Sequence, residues 1–177
     1  MNILATILGL LAVALFVFSY QLKNRRSIIV ANAASRVLYV AQYLVLGAFE
    51  GAFLDTAAFF VSLLCKGRDA GFIKKHFVSA VILSNVFLIG IGMLTYQNLF
   101  SLLPIFGVIF ETLALWLKKE KNIRIVSLLG APFWLLYNLK SEAYGSVVGN
   151  VITLVSISVA ILRYDVLKKE TRPNESE

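Results

Sequence analysis

Five side chains able to do chemistry fall inside long apolar runs of this sequence: Arg36, Asp55, Glu111, Asn138 and Asn150. A charge in hydrocarbon costs at least about 2.5–3.5 kcal/mol unless it is paired or hydrated, so such residues mark structural pairs or functional sites. Arg36 lies about nine residues, or ~14 Å of helix, from the nearer end of its run. Its candidate partners are Asp55 and Glu111. The trio suits a proton-linked switch, an anion-attracting group or an ion pair that holds helices together. Asp55 and Asn150 suit binding of a hydroxylated solute, and the face of Trp134 is a surface on which a sugar or base stacks. Asn138 and Asn150 equally suit an interhelical hydrogen bond. No HExxH, GxSxG, Gly-rich phosphate loop or cluster of histidine, cysteine and carboxylate accompanies them. Enzyme activity, a cofactor and a metal are therefore not expected. Cys65 is the single cysteine, which removes any intramolecular disulfide.

The elements that must position these residues are read from hydropathy and charge. Hydrophobic residues make up 59% of the chain, charged residues 15%, and mean hydropathy is +0.80. Soluble domains are about 45–50% apolar. Seven apolar spans are expected near 2–20, 27–46, 48–65, 77–96, 99–117, 125–139 and 143–162. Most approach the roughly 20 residues that a helix needs to cross about 30 Å of hydrocarbon. Of the 17 Lys and Arg, fifteen fall between alternate spans or in the tail, Lys140 stands on the other side, and Arg36 lies within a span. This bias predicts an N-terminus outside and a C-terminus in the cytoplasm. The first span has its positive charges after it, at Lys23, Arg25 and Arg26, the reverse of a cleaved signal peptide. The net charge of +7 does not indicate a nucleic-acid partner, because the cations flank spans instead of gathering on one polar face. His76, at a helix end beside Lys74 and Lys75, reads as a residue of the cytoplasmic face.

An internal repeat organises the spans. At an offset of 95, Leu22, Lys23 and Ile28 meet Leu117, Lys118 and Ile123; at 94, Tyr43, Gly51 and Ser62 meet Tyr137, Gly145 and Ser156. Helices one to three then repeat as five to seven, and the fourth is a linker that gives both halves the same orientation. In helix two, Asn32, Arg36, Tyr39 and Tyr43 form one stripe, whose counterparts are Ser127, Ala131, Trp134 and Asn138. Asp55 stands sixteen residues beyond Tyr39, and Asn150 sixteen beyond Trp134. Each half thus offers an aromatic and a polar residue toward a cavity near mid-membrane. Glu111 has Phe16 as its counterpart, so symmetry alone assigns it no place in that cavity. Gly47–Gly51 and Gly145–Gly149 have the spacing of close helix contacts. Pro104 and Pro132 are candidate hinges or kinks.

The run Leu102-Leu103-Pro104 with Gly107, Ala114, Lys118, Arg124, Pro132, Trp134, Tyr137, Asn138 and Gly145 resembles the YgjV family of bacterial inner-membrane proteins. So do Ser19-Tyr20-Gln21 with Lys23, and Leu46-Gly47-Ala48 with Gly51. The likeness spans about residues 5 to 165. That family looks like a distant branch of the PQ-loop/SWEET group of seven-helix carriers. The resemblance implies a substrate site lined by Asp55 and Asn150 on the last helix of each half, with Trp134 as the aromatic of the second half. The chain departs from the group at Tyr20-Gln21, where a Pro-Gln signature is usual. It also carries an acidic Asp55 for an asparagine, and Val61 where some relatives carry an arginine.

The expected architecture is an all-α membrane protein of seven transmembrane helices in a 3+1+3 arrangement. Residues 1–66 form the first repeat, 67–97 a basic loop and linker helix, 98–163 the second repeat and 164–177 a disordered cytoplasmic tail. The expected function is passage of a small polar solute, a sugar or another metabolite, through a site that includes Arg36, Tyr39, Asp55, Trp134, Asn138 and Asn150. The alternative is a non-transporting interaction or regulatory protein. Expected partners are the bilayer and the solute, with a homo-oligomer allowed and no nucleic acid. The expected location is the bacterial inner membrane.

Overall fold

Hydropathy marks where a helix leaves hydrocarbon, whereas capping chemistry marks where it ends. A computed structural model describes residues 2–163, so the expected tail at 164–177 lies outside the described residues. Among the described residues the chain is all helical: α1 (Ile3–Gln21), α2 (Arg25–Leu46), α3 (Phe49–Lys66), α4 (Gly71–Lys75), α5 (Phe77–Leu94), α6 (Leu102–Trp116), α7 (Glu120–Lys140) and α8 (Tyr144–Ile161), with a 3₁₀ turn at Leu99–Ser101. Asn2 caps α1 by accepting from the Ala5 N–H, and Asn24 caps α2 by accepting from Arg26. Gly47 ends α2 with φ of 70°, the left-handed conformation that favours glycine at this place. It is therefore a terminator and not half of a close-packing pair. Asn98 and Ser101 form a reciprocal capping box at the 3₁₀ turn that leads into α6.

Among the described residues, five helices are long and apolar enough to cross a membrane: α1, α2, α5, α8 and the unit Leu99–Trp116. The other two long helices have their apolar stretches interrupted by polar groups, with Glu50, Asp55 and Lys66 spread along the 18 residues of α3 and Glu120, Lys121, Arg124 and Lys140 on α7. Helix α7 starts five residues earlier than the apolar run at 125–139, because its first turn is polar yet helical. Within the segment read as a basic loop lies the short helix α4. Pro104 sits in the first turn of α6, where few helical hydrogen bonds are at stake, so it is no interior hinge. Pro132 does lie inside α7.

Packing contacts connect α1 to α2, α2 to α3, α3 to α6, α6 to α7, α7 to α8 and α8 back to α1. Two trios of consecutive helices thus close a ring of six through two seams, α3 with α6 and α1 with α8. Helix α5 lies outside this ring, against α3 and α6. Its buried residues are only Ser84, Leu88 and Gly92. At the α1–α8 seam, Gly145 brings α8 against the backbone of Thr6, and Gly149 lies under Val13. A helix needs small residues wherever another backbone comes this near.

Candidate functional site

The stripe on α2 points into the ring. Asn32, Arg36, Tyr39 and Tyr43 are all buried, Arg36 to 1% exposure. The Arg36 guanidinium donates from Nη1 to Asp55 Oδ1 at 2.5 Å, from Nη2 to Glu111 Oε2 at 2.9 Å and from Nε to Asn32 Oδ1 at 3.2 Å. One cation on α2 therefore ties a carboxylate of α3 to a carboxylate of α6, across the seam between the trios. With all three groups ionised the cluster carries one excess negative charge. Such a cluster can exchange a proton or accept a cationic group without losing its remaining ion pair.

A second, neutral network crosses the ring at the level of Tyr43. Its hydroxyl donates to Asn138 Oδ1 on α7 at 2.8 Å, and Asn138 Nδ2 donates to Asn150 Oδ1 on α8 at 2.7 Å. The Tyr43 ring stacks on Trp134 with centroids 6.3 Å apart and planes 14° apart, and on Tyr39 with centroids 6.3 Å apart and planes 20° apart. The indole of Trp134 fits against α6 because position 107 is glycine, where any Cβ would overlap the ring.

These residues enclose one cavity of about 20 Å³. Arg36, Tyr39, Asp55, Glu111, Trp134, Asn138 and Asn150 all line it, joined by Phe16 and Tyr43. Space of that order holds about one ordered water, so the chamber is narrow. Asp55 and Asn150, which the sequence spacing pairs, both face it. Glu111 and Phe16, to which the symmetry argument gave no place in the cavity, face it as well.

A second cavity of about 230 Å³ opens at the ends of α2 and α7, lined by Glu50, Gln97, Asn98, Phe100, Tyr137, Lys140 and Ser141 among others. Glu50 is held there by the Ser101 hydroxyl at 2.7 Å, and the Lys140 ammonium lies 5.3 Å from the centre of the Phe100 ring. Tyr137 is the partition between this vestibule and the chamber. Its ring stands edge-on to Tyr43 at 5.9 Å and to Trp134 at 6.0 Å, and its hydroxyl accepts the Gly51 N–H at 2.9 Å.

The opposite end is closed by arginines that the charge count treated only as loop cations. Arg25, in the first turn of α2, donates to the carbonyls of Cys65 at 2.8 Å, Leu115 at 2.8 Å and Leu117 at 2.9 Å, at the ends of α3 and α6. Arg124, in α7, reaches the carbonyls of Tyr20 at 3.4 Å and Leu22 at 3.5 Å, at the end of α1. Arg68 donates to the Trp116 carbonyl. Each trio thus caps helix ends of the other, satisfying carbonyls that a helix leaves open. One sequence signal was available: a cation in the first turn of α2 opposes that helix's own dipole and suits the C-terminal end of another.

Neither the curated proteins nor the solved structures yield a match to this chain. A protein-family match covers residues 3–168, the whole ring and both sides of the chamber. With its run of apolar helices and that match, the chain belongs to the Imp-YgjV family of bacterial inner membrane proteins.

Proposed function

We propose that the chain is a small-solute carrier or facilitator that works by alternating access to the central chamber. In this reading all seven long helices span the membrane as 3+1+3, with α1–α3 and α6–α8 as parallel repeats and α5 as the linker. The N-terminus is outside and the C-terminus in the cytoplasm. The observation that carries the reading is the convergence of Asp55, Arg36, Asn138, Asn150 and Trp134, drawn from both trios, on one buried polar cavity between them. Repeat-built transporters bind substrate at such a midplane position. The vestibule beyond Tyr137 provides an outer approach, and the arginine caps at the other end provide the inner closure.

The solute is small and polar, a sugar or another metabolite. A zwitterion suits the chamber best, because its carboxylate can replace Asp55 or Glu111 on Arg36 while its ammonium meets the carboxylate released. The halves must part for this, since about 20 Å³ admits no such molecule. That narrowness is also what favours the second reading, a non-transporting membrane interaction or regulatory protein.

A thermal-shift screen of the purified chain against sugars, amino acids, nucleosides and vitamins tests the proposal. A solute at a hundred times its Kd stabilises the native state by about 2.7 kcal/mol. Uptake of the same solute into proteoliposomes should vanish in Asp55→Ala and Asn150→Ala variants that keep their fold. Stabilisation with no uptake in any lipid composition would leave the regulatory reading standing instead.

A further inference from the structure

Away from the chamber, an apolar groove of about 490 Å³ runs between α3 and α5. Phe60 and Leu64 form one wall, Leu83 and Phe87 the other, and Trp116 is the buried floor. Helix α4 crosses one end, where Phe72, Ile73 and His76 line the groove. The segment that supplies this end of the groove is basic, although of its basic residues only His76 lines the groove itself. Between positions 66 and 76 stand Lys66, Arg68, Lys74 and Lys75 against a single carboxylate, Asp69. Arg68 is engaged, donating to the Trp116 carbonyl and lying 4.2 Å from the centre of the Phe77 ring. Lys74 and Lys75 are exposed and form no salt bridge among the described residues.

We propose that this groove is a binding site for an anionic phospholipid, with one acyl chain between α3 and α5 and the phosphate at Lys74, Lys75 and His76. The apolar walls suit a hydrocarbon chain, and basic pockets between membrane helices attract anionic headgroups. Charge also decides against a second copy as the occupant. Copies inserted the same way round meet with their basic segments at the same depth, and like charges repel. The site is independent of the carrier reading, since it touches neither the chamber nor the vestibule.

The test is native mass spectrometry of the full-length protein in detergent, titrated with phosphatidylglycerol or with phosphatidylcholine of the same acyl chains. Phosphatidylglycerol should be retained preferentially, and the preference should fall as salt is added. Each lysine near a headgroup contributes roughly a fivefold affinity, so Lys74→Gln with Lys75→Gln should reduce binding of the anionic lipid about thirtyfold. Ala80→Phe, which fills the groove, should lower retention of both lipids. Equal retention of the two lipids by the wild-type protein would overturn the proposal, as would a preference untouched by the lysine changes. Disulfide-linked dimers of an Ala80→Cys variant would overturn it too, by placing a second copy in the groove.

Discussion

Tyr43 donates its hydroxyl to Asn138 Oδ1 at 2.8 Å, and the two residues stand 95 positions apart in the chain. Tyr43 stands on α2 of the first trio and Asn138 on α7 of the second. The bond therefore ties the two trios together beside the chamber, which both residues line. Tyr43→Phe removes the donor and leaves the Asn138 carbonyl with one partner fewer in a buried site. The thermal midpoint should fall by an amount corresponding to about 1–3 kcal/mol. A change within error would mean that the bond does not join the halves.

The ion cluster is asymmetric in what its members cost to remove. Arg36→Gln leaves Asp55 and Glu111 facing each other with no cation, and breaking a buried pair this way costs about 3–5 kcal/mol. Glu111→Gln leaves Arg36 paired with Asp55 in a charge-balanced site, so its effect should stay within about 1 kcal/mol. The order of the two unfolding midpoints in one detergent decides the matter. Glu111→Gln proving the more harmful would show that Arg36 is not the bridge between α3 and α6.

Opening of the end closed by arginines has a built-in reporter. Cys65 is the only cysteine, it is wholly buried, and its carbonyl accepts from Arg25. Arg25→Gln removes three charge-assisted hydrogen bonds to helix ends, each worth about 1.5–3 kcal/mol in favourable cases. Maleimide labelling of Cys65 should accelerate at least tenfold in this variant, because the rate follows the population of the open end. The same probe applied to Arg124→Gln tests whether the cap on α1 contributes to the same closure. Unchanged labelling in both variants would separate the arginines from any opening of this end.

The α1–α8 seam is set by contact distance. A Cβ at Gly149 would overlap both methyl carbons of Val13, whereas one at Gly90 on α5 meets nothing. Gly149→Ala should therefore cost about 1–3 kcal/mol through overpacking. Gly90→Ala should be neutral or stabilising by up to about 1 kcal/mol through helix propensity. Equal midpoints for the two variants would mean that the trios do not close at this seam.

Much of the fold could be read in one dimension. Apolar runs and flanking cations located the long helices, and the period of Asn32, Arg36, Tyr39 and Tyr43 identified the inner face of α2. That information is local: it depends on the transfer energy of each residue and on 3.6 residues per turn. The same reasoning put the start of α7 too late and merged α4 into a loop, because a polar helical turn and a polar loop have the same hydropathy.

What the sequence alone determined is that the chain carries its charges between apolar spans, and that a few polar groups must be buried with partners. Which partner, and in what space, was decided by tertiary packing. Arg36 had two candidate carboxylates, and only the approach of α3 to α6 lets one guanidinium hold both. The capping of α6 by Arg25 of the first trio and of α1 by Arg124 of the second, the partition at Tyr137 and the narrowness of the chamber depend on how helices far apart in sequence converge. Pair distances of a few ångströms between such residues have no counterpart in hydropathy, charge count or helical period.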